Sequence, residues 1–187
     1  LAELEEKGEE RRYILGFEES YGYLSGSYVR DKDGVDGSLL ICEMASWYKE
    51  QGMTLIDAIE GIYRRYGRYL DSQRSFTCEG ASGMERMRQI MDSLRAAPPA
   101  EIGGKKVLSR ADYLQSVRIT EDGRREPITL PKSNVLAFQM EGARVTVRPS
   151  GTEPKIKVYF SVKGRDLDHA RLLQQALEKD MTVKMGF

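Results

Sequence analysis

The chain has 187 residues, enough for one large domain or two small ones. Its 29 basic and 29 acidic side chains cancel to a formal charge of zero, which argues against a nucleic-acid or membrane surface built on bulk charge. The single histidine, His169, speaks against a His-based triad or metal site, and no apolar run approaches the ~20 residues of a membrane span.

Residues Leu1 to Gly8 read as the end of a charged helix. A chain that opens on leucine inside such a pattern reads as a cut piece of a longer protein. Arg12 to Phe17 is a short apolar run and predicts a buried strand. A Gly/Ser/Tyr-rich loop follows from Glu18 to Ser27, and Asp33-Gly34 marks a turn. Apolar residues then recur at helical spacing (Val35, Leu39, Leu40, Met44, Trp47, Tyr48) until Gly52, predicting a helix over 35–51. Thr54 and Asp57 stand in the reciprocal capping positions of the next helix, whose buried face would hold Leu55, Ile59, Ile62, Tyr63 and Tyr66.

The pattern changes around Gly67 to Ser72, and the domain boundary is placed there, giving domains 1–70 and 71–187. A strand is expected near Gln73 to Cys78. Ser82 is then read as the cap of a helix, with Glu85 three residues on. Met84, Met87, Ile90, Met91 and Leu94 form an apolar stripe that suits a core better than a partner-binding face, and Pro98-Pro99 stops the helix. A polar connection with Gly103-Gly104 and Lys105-Lys106 leads to four short strands, Tyr113–Ile119, Val135–Met140, Ala143–Arg148 and Lys155–Val162. The last alternates cleanly, with Ile156, Val158, Phe160 and Val162 on one face. Asp166 caps a terminal helix bearing Leu167, Ala170, Leu173, Ala176 and Leu177. The second half therefore reads β-α-β-β-β-β-α, an α+β arrangement. Cys42 and Cys78 are far apart and read as reduced thiols; no signal-peptide pattern is visible, so the expected compartment is the cytoplasm.

Between the last two strands lies Arg148-Pro149-Ser150-Gly151-Thr152-Glu153-Pro154-Lys155. Its chemistry suits a phosphate: a planar fork of donors on Arg148, hydroxyls on Ser150 and Thr152, and a glycine at 151 that admits close backbone approach. The same string is also compatible with a plain tight turn in which Arg148 pairs with Glu153 at the surface.

This loop, followed by an alternating strand, resembles the C-terminal phosphate-binding loop of the α-D-phosphohexomutases. Gly16-Phe17-Glu18-Glu19-Ser20-Tyr21-Gly22 is similar to that family's sugar-binding loop, with its Glu-x-Ser pattern, and Arg30-Asp31-Lys32-Asp33-Gly34 resembles the phosphoglucomutase branch. The residue after Ser20 is tyrosine where some members have Gly-His, which points to the phosphoglucomutase or phosphopentomutase branch. The resemblance implies the end of an α/β third domain followed by a TATA-binding-protein-like C-terminal domain. It implies a whole enzyme that interconverts hexose 1-phosphate and hexose 6-phosphate through a phosphoserine, with Mg2+ as cofactor and a sugar bisphosphate as intermediate. Neither the serine loop nor the metal loop of the family occurs here, so the chain alone is expected to be inactive and to need the remaining N-terminal domains as partners. By the same resemblance Glu18 and Ser20 bind sugar hydroxyls; Arg148, Ser150, Gly151, Thr152 and Lys155 hold the phosphate; and Lys32 and Glu19 are cleft candidates. Phosphomannomutase, phosphopentomutase and a non-catalytic phosphosugar-binding module are the alternatives.

Overall fold

Helix boundaries follow the capping chemistry of the sequence. In the computed structural model, which describes residues 1–18, 22–80 and 82–187, Asp33 accepts from the amides of Val35 (2.8 Å) and Asp36 (3.2 Å), satisfying two of the orphan donors at a helix start. Thr54 and Asp57 form the predicted box: Asp57 Oδ2 accepts from the Thr54 amide (2.8 Å), and Thr54 Oγ1 accepts from the Asp57 amide (3.1 Å).

The chain divides into two compact units, Leu1–Ile62 and Tyr63–Phe187. The first holds α1 (Ala2–Glu6), a 3-10 turn at Glu10–Arg12, a hairpin of β1 (Gly16–Glu18) and β2 (Gly22–Leu24), then α2 (Gly34–Glu50) and most of α3 (Leu55–Tyr66). Gly52, at φ +72°, ends α2 in the left-handed conformation that glycine adopts without a steric penalty. No residue of α2 or α3 is buried. The predicted stripes are there at helical spacing, yet Val35 is 81% and Trp47 57% exposed, because the described part of this unit has only a two-stranded hairpin to set against them. The expected buried strand over Arg12–Phe17 is corrected on the same grounds. Only Gly16–Phe17 of that run is strand, and Ile14 and Phe17 are 83% and 78% exposed.

The second unit is an antiparallel sheet backed on one face by two helices. Its strands are β3 (Arg68–Thr77), β4 (Glu101–Ile102), β5 (Lys105–Asp112), β6 (Val117–Thr120), β7 (Arg125–Pro127), β8 (Leu136–Met140), β9 (Ala143–Pro149) and β10 (Lys155–Gly164). They lie in the order β3-β10-β9-β8-β5-β6-β7, with β4 paired to β5. Helices α4 (Gly83–Ala96) and α5 (Leu167–Lys184) complete it. The period-2 reading of β10 is followed residue by residue: Ile156, Val158, Phe160 and Val162 are buried while Lys157 and Ser161 face out. Met87, Met91 and Leu94 of α4 and Ala170, Leu173, Leu177 and Met181 of α5 close over that face. The methionine stripe is therefore core, apart from Met84, which is 42% exposed.

Four local expectations are corrected. β3 begins at Arg68 rather than Gln73 and pairs with β10 along its whole length. The stretch read as a polar connection is strand β5, whose alternation is broken by a bulge between Val107 and Ser109. Tyr113–Ser116, expected as strand, is a turn: Asp112 Oδ1 accepts from the amides of Leu114 (2.9 Å) and Gln115 (3.3 Å), and Ser116 sits at φ 52°. Ser82 is the N-cap residue of α4 but makes no side-chain cap, while Glu85 pairs with Arg88. No helix among the described residues is long and apolar enough to cross a membrane.

Asp166 caps α5 by accepting from the His169 amide at 2.7 Å. That bond foremost, then the Arg165 side chain, holds the carboxyl below its ordinary value against the opposing pull of burial. The folded state favours the carboxylate, so its stabilising contribution is present above the unfolded value near ~4 and lost as pH falls through the folded one. Lowering the pH from about 5 to about 3 is expected to depress the thermal midpoint more steeply in the native protein than in Asp166→Asn, whose amide caps without titrating. Far-UV circular dichroism melts measure this; parallel slopes would show that the carboxylate is irrelevant to acid stability.

Candidate functional site

In the first unit, the β1–β2 hairpin and the segment Arg30–Lys32 surround a cleft of about 410 Å³. The Asp33 amide donates to the Tyr23 carbonyl (2.8 Å), which fixes the start of α2 against β2. Glu18, at the end of β1, is hydrogen-bonded and ion-paired to Lys32 Nζ. Gly22 stands beside this pair. A Cβ at 22 would lie 2.6 Å from Glu18 Cγ and 2.9 Å from Lys32 Cδ, so a side chain there would have to displace both. Arg30 lines the same cleft and bonds Glu5. The loop after β2 is tied down by Asp36, which accepts from Ser25 Oγ (2.7 Å) and the Ser25 amide (3.1 Å). The Ser25 hydroxyl is the main reason the Asp36 carboxyl sits below its ordinary value, and the bond to Asp36 pushes the Tyr28 phenol up. The structure thus brings Glu18 and Lys32 together at one cleft. Glu19, Ser20 and Tyr21 lie outside the described residues.

In the second unit, Arg148 projects from β9 on the face of the sheet away from the helices, opposite Lys157 of β10. The connecting loop is organised by Ser150. Its Oγ accepts from the amides of Thr152 (3.4 Å) and Glu153 (3.3 Å), while its own amide donates to the Lys155 carbonyl (2.8 Å). An accepting hydroxyl keeps its hydrogen to donate elsewhere. The Cys78 amide donates to the Pro154 carbonyl (2.8 Å), which anchors the loop to the end of β3. Gly151 has open space around it and does not adopt a positive φ, so its bareness there serves close approach rather than an unusual backbone. Glu153 pairs with Lys155 at 3.3 Å. Arg148 therefore does not take the surface partner that a plain tight turn would give it, and among the described residues no carboxylate pairs with it.

Two cations separated by one inter-strand spacing, a serine with a spare hydrogen and an uncrowded glycine at 151 form an exposed set of donors. Such a set can hold an anion with several equivalent oxygens. Lys157 was missed in the sequence because alternation marks it only as outward; it takes the register of β9 against β10 to place it beside Arg148. Among the described residues no group of three His, Cys, Asp or Glu side chains is gathered as a metal ion would need. Both cysteines are free thiols, Cys42 exposed and Cys78 buried.

The family described as "Phosphoglucomutase/phosphomannomutase, alpha/beta/alpha domain III" matches residues 1–66, and its "C-terminal domain" matches residues 95–179. A phosphoglucomutase of Staphylococcus aureus (a bovine strain) is 43% identical over 167 residues, which is 89% of this chain and 30% of the relative. The phosphoglucomutase of a second strain is 42% identical over the same length. The chain thus spans about 30% of the length of the curated relatives it matches. Among solved structures, the open form of the exocytosis-sensitive phosphoprotein pp63/parafusin, a phosphoglucomutase from Paramecium, superposes with a TM-score of 0.61. It covers 98% of this chain and 31% of that one at 19% identity, a likeness of fold.

Proposed function

Since the chain belongs to the α-D-phosphohexomutase family, matching its third and C-terminal domains, we propose that the whole protein interconverts glucose 1-phosphate and glucose 6-phosphate. In this reading residues 1–70 carry the sugar-binding loop and residues 71–187 the phosphate-binding loop. The observation that carries it is the open donor set around Arg148: a guanidinium with no carboxylate partner among the described residues, beside a serine that accepts from two amides and retains a hydrogen.

Arg148, Ser150, Gly151, Thr152 and Lys155 hold the phosphate that is not reacting, with Lys157 adding field. Anchoring that end fixes the position of the other, and positioning of this kind contributes several kcal/mol to phosphoryl transfer. Glu18 and Ser20 take sugar hydroxyls, with Lys32 beside Glu18 at the cleft and Glu19 a further candidate. A carboxylate accepts from two neighbouring hydroxyls without distinguishing which end of the sugar carries the reacting phosphate, and the reaction needs the sugar held in both orientations. The open stripes of α2 and α3 are assigned to contact with the other domains of the same protein.

The family's magnesium does not fit the described residues, since their carboxylates are not clustered. It and the phosphoserine are assigned to those other domains, and the chain alone is expected to be inactive. The free thiols are in keeping with a cytoplasmic enzyme.

Assaying the full-length protein with glucose 1-phosphate, mannose 1-phosphate and ribose 1-phosphate tests the substrate assignment. Turnover of none of the three would refute it, and preference for either of the last two would move it to another branch of the family. Glu18→Gln is expected to lower kcat/KM about 10- to 100-fold with both glucose phosphates, the scale of a hydrogen bond to a charged group. A loss confined to one of the two would contradict a role common to both orientations.

A further inference from the structure

The open face of the large sheet carries a polar hollow of about 200 Å³ that none of the Arg148–Lys155 loop lines. Its floor is made of small side chains brought into line by register: Ala111 of β5 stands opposite Ala137 of β8, and Ser109 stands opposite Gln139. Two arginines wall it from opposite sides. Arg118 is the β6 partner of Ala111, and Arg144 is the β9 partner of Gln139. Tyr113 closes the end, its Oη accepting from Arg144 Nη2 at 3.3 Å. No carboxylate lines the hollow. Glu126 stands 3.9 Å from Arg118 but is drawn more closely to Arg124, at 3.2 Å. Among the described residues Arg144 has no acidic partner.

We propose that this hollow is a second anion site, built for a phosphate monoester. Two guanidinium forks line the hollow from strands on its opposite sides. That arrangement matches a tetrahedral dianion better than one planar carboxylate. The Tyr113 hydroxyl accepts from Arg144 and so keeps its hydrogen for an anion oxygen. Gln139 spends its amide hydrogens on the carbonyls of Met140 (3.0 Å) and Ala143 (3.1 Å), which leaves its oxygen as an acceptor for a hydroxyl on the ester. Alanines at 111 and 137 leave room over the pleat. Neither Arg148 nor any residue of the 149–155 loop lines this hollow, so the two sites are distinct.

Arginine modification by phenylglyoxal, read site by site by mass spectrometry on the full-length protein, tests the proposal. Inorganic phosphate and glycerol phosphate are the probes, against sodium chloride at matched ionic strength. Both phosphates are expected to slow modification of Arg118 and Arg144 at least fivefold, with no effect at the exposed Arg165. In Arg118→Gln the protection of Arg144 is expected to disappear, and in Tyr113→Phe to weaken. Unchanged modification of Arg144 with phosphate would overturn the proposal. So would protection that persists in Arg118→Gln, because the two arginines would then not share a ligand. Arg148 is read in the same experiment and reports on the phosphate loop separately, so either site can fail without the other.

Discussion

Replacing Arg148 with alanine in the full-length protein is expected to weaken phosphosugar binding by about 2–4 kcal/mol, roughly 30- to 1000-fold in Kd. The magnitude follows from removing one partner of a charge-assisted contact while the anion remains in the site. The same substitution should leave folding stability within about 0.5 kcal/mol, because Arg148 is exposed and Glu153, the acid nearest in sequence, is paired with Lys155 instead. That separation of effects is what distinguishes a binding arginine from a structural one. Arg148→Lys keeps the charge but loses the fork, so it should restore part of the affinity and not all of it. Calorimetric titration with glucose 6-phosphate, together with the thermal midpoint of each variant, provides the measurement. Wild-type affinity in Arg148→Ala would remove the phosphate from this loop.

Phe160→Ala should be the most damaging single change in the second unit, costing about 3–5 kcal/mol of its stability. Phe160 is fully buried on β10, which is paired on both sides, with Ser72 of β3 and Val145 of β9 opposite it. Deleting the ring leaves a cavity under α4 and α5 that neither flanking strand can collapse into without breaking register. Trp47, the only tryptophan, lies in α2 of the other unit, so its fluorescence does not report this event. Hydrogen exchange of peptides from β9 and β10, read by mass spectrometry, does report it and should accelerate at least about 100-fold. Ser161→Ala, one residue on, removes an outward bond to Asp71 (2.5 Å) and should change the same peptides little. Equal protection in Phe160→Ala and wild type would mean that this ring is not part of the core that holds the Arg148–Lys155 loop in place.

How far the sequence could be read depended on the range of the interaction. Thr54 and Asp57 form their box because the partners are three residues apart and need nothing else. Ser82 and Glu85 have the same spacing and do not: Ser82 sits at φ −89°, ψ 5°, outside the extended region an N-cap residue adopts, and Glu85 pairs with Arg88. β10 was legible because one of its faces meets a core and the other does not. β5 was not legible, because its bulge breaks the alternation and its face carries Ser109 and Ala111 rather than large apolar groups. The donor-rich composition of the Arg148–Lys155 loop was legible in its residues, but that Lys155 rather than Arg148 takes Glu153 is a matter of distance in the folded loop.

The amino-acid order by itself determined where helices start and stop, which face of β10 is buried, and the composition of the two loops, since each rests on contacts between residues a few positions apart. Tertiary structure alone decided which cations share a surface. Lys157 stands beside Arg148, and Arg118 faces Arg144 across two intervening strands, only through the pairing β10-β9-β8-β5-β6. It also decided that the stripes of α2 and α3 remain open within the described unit. Periodicity specifies that a face is apolar; which surface covers it depends on what else lies within reach.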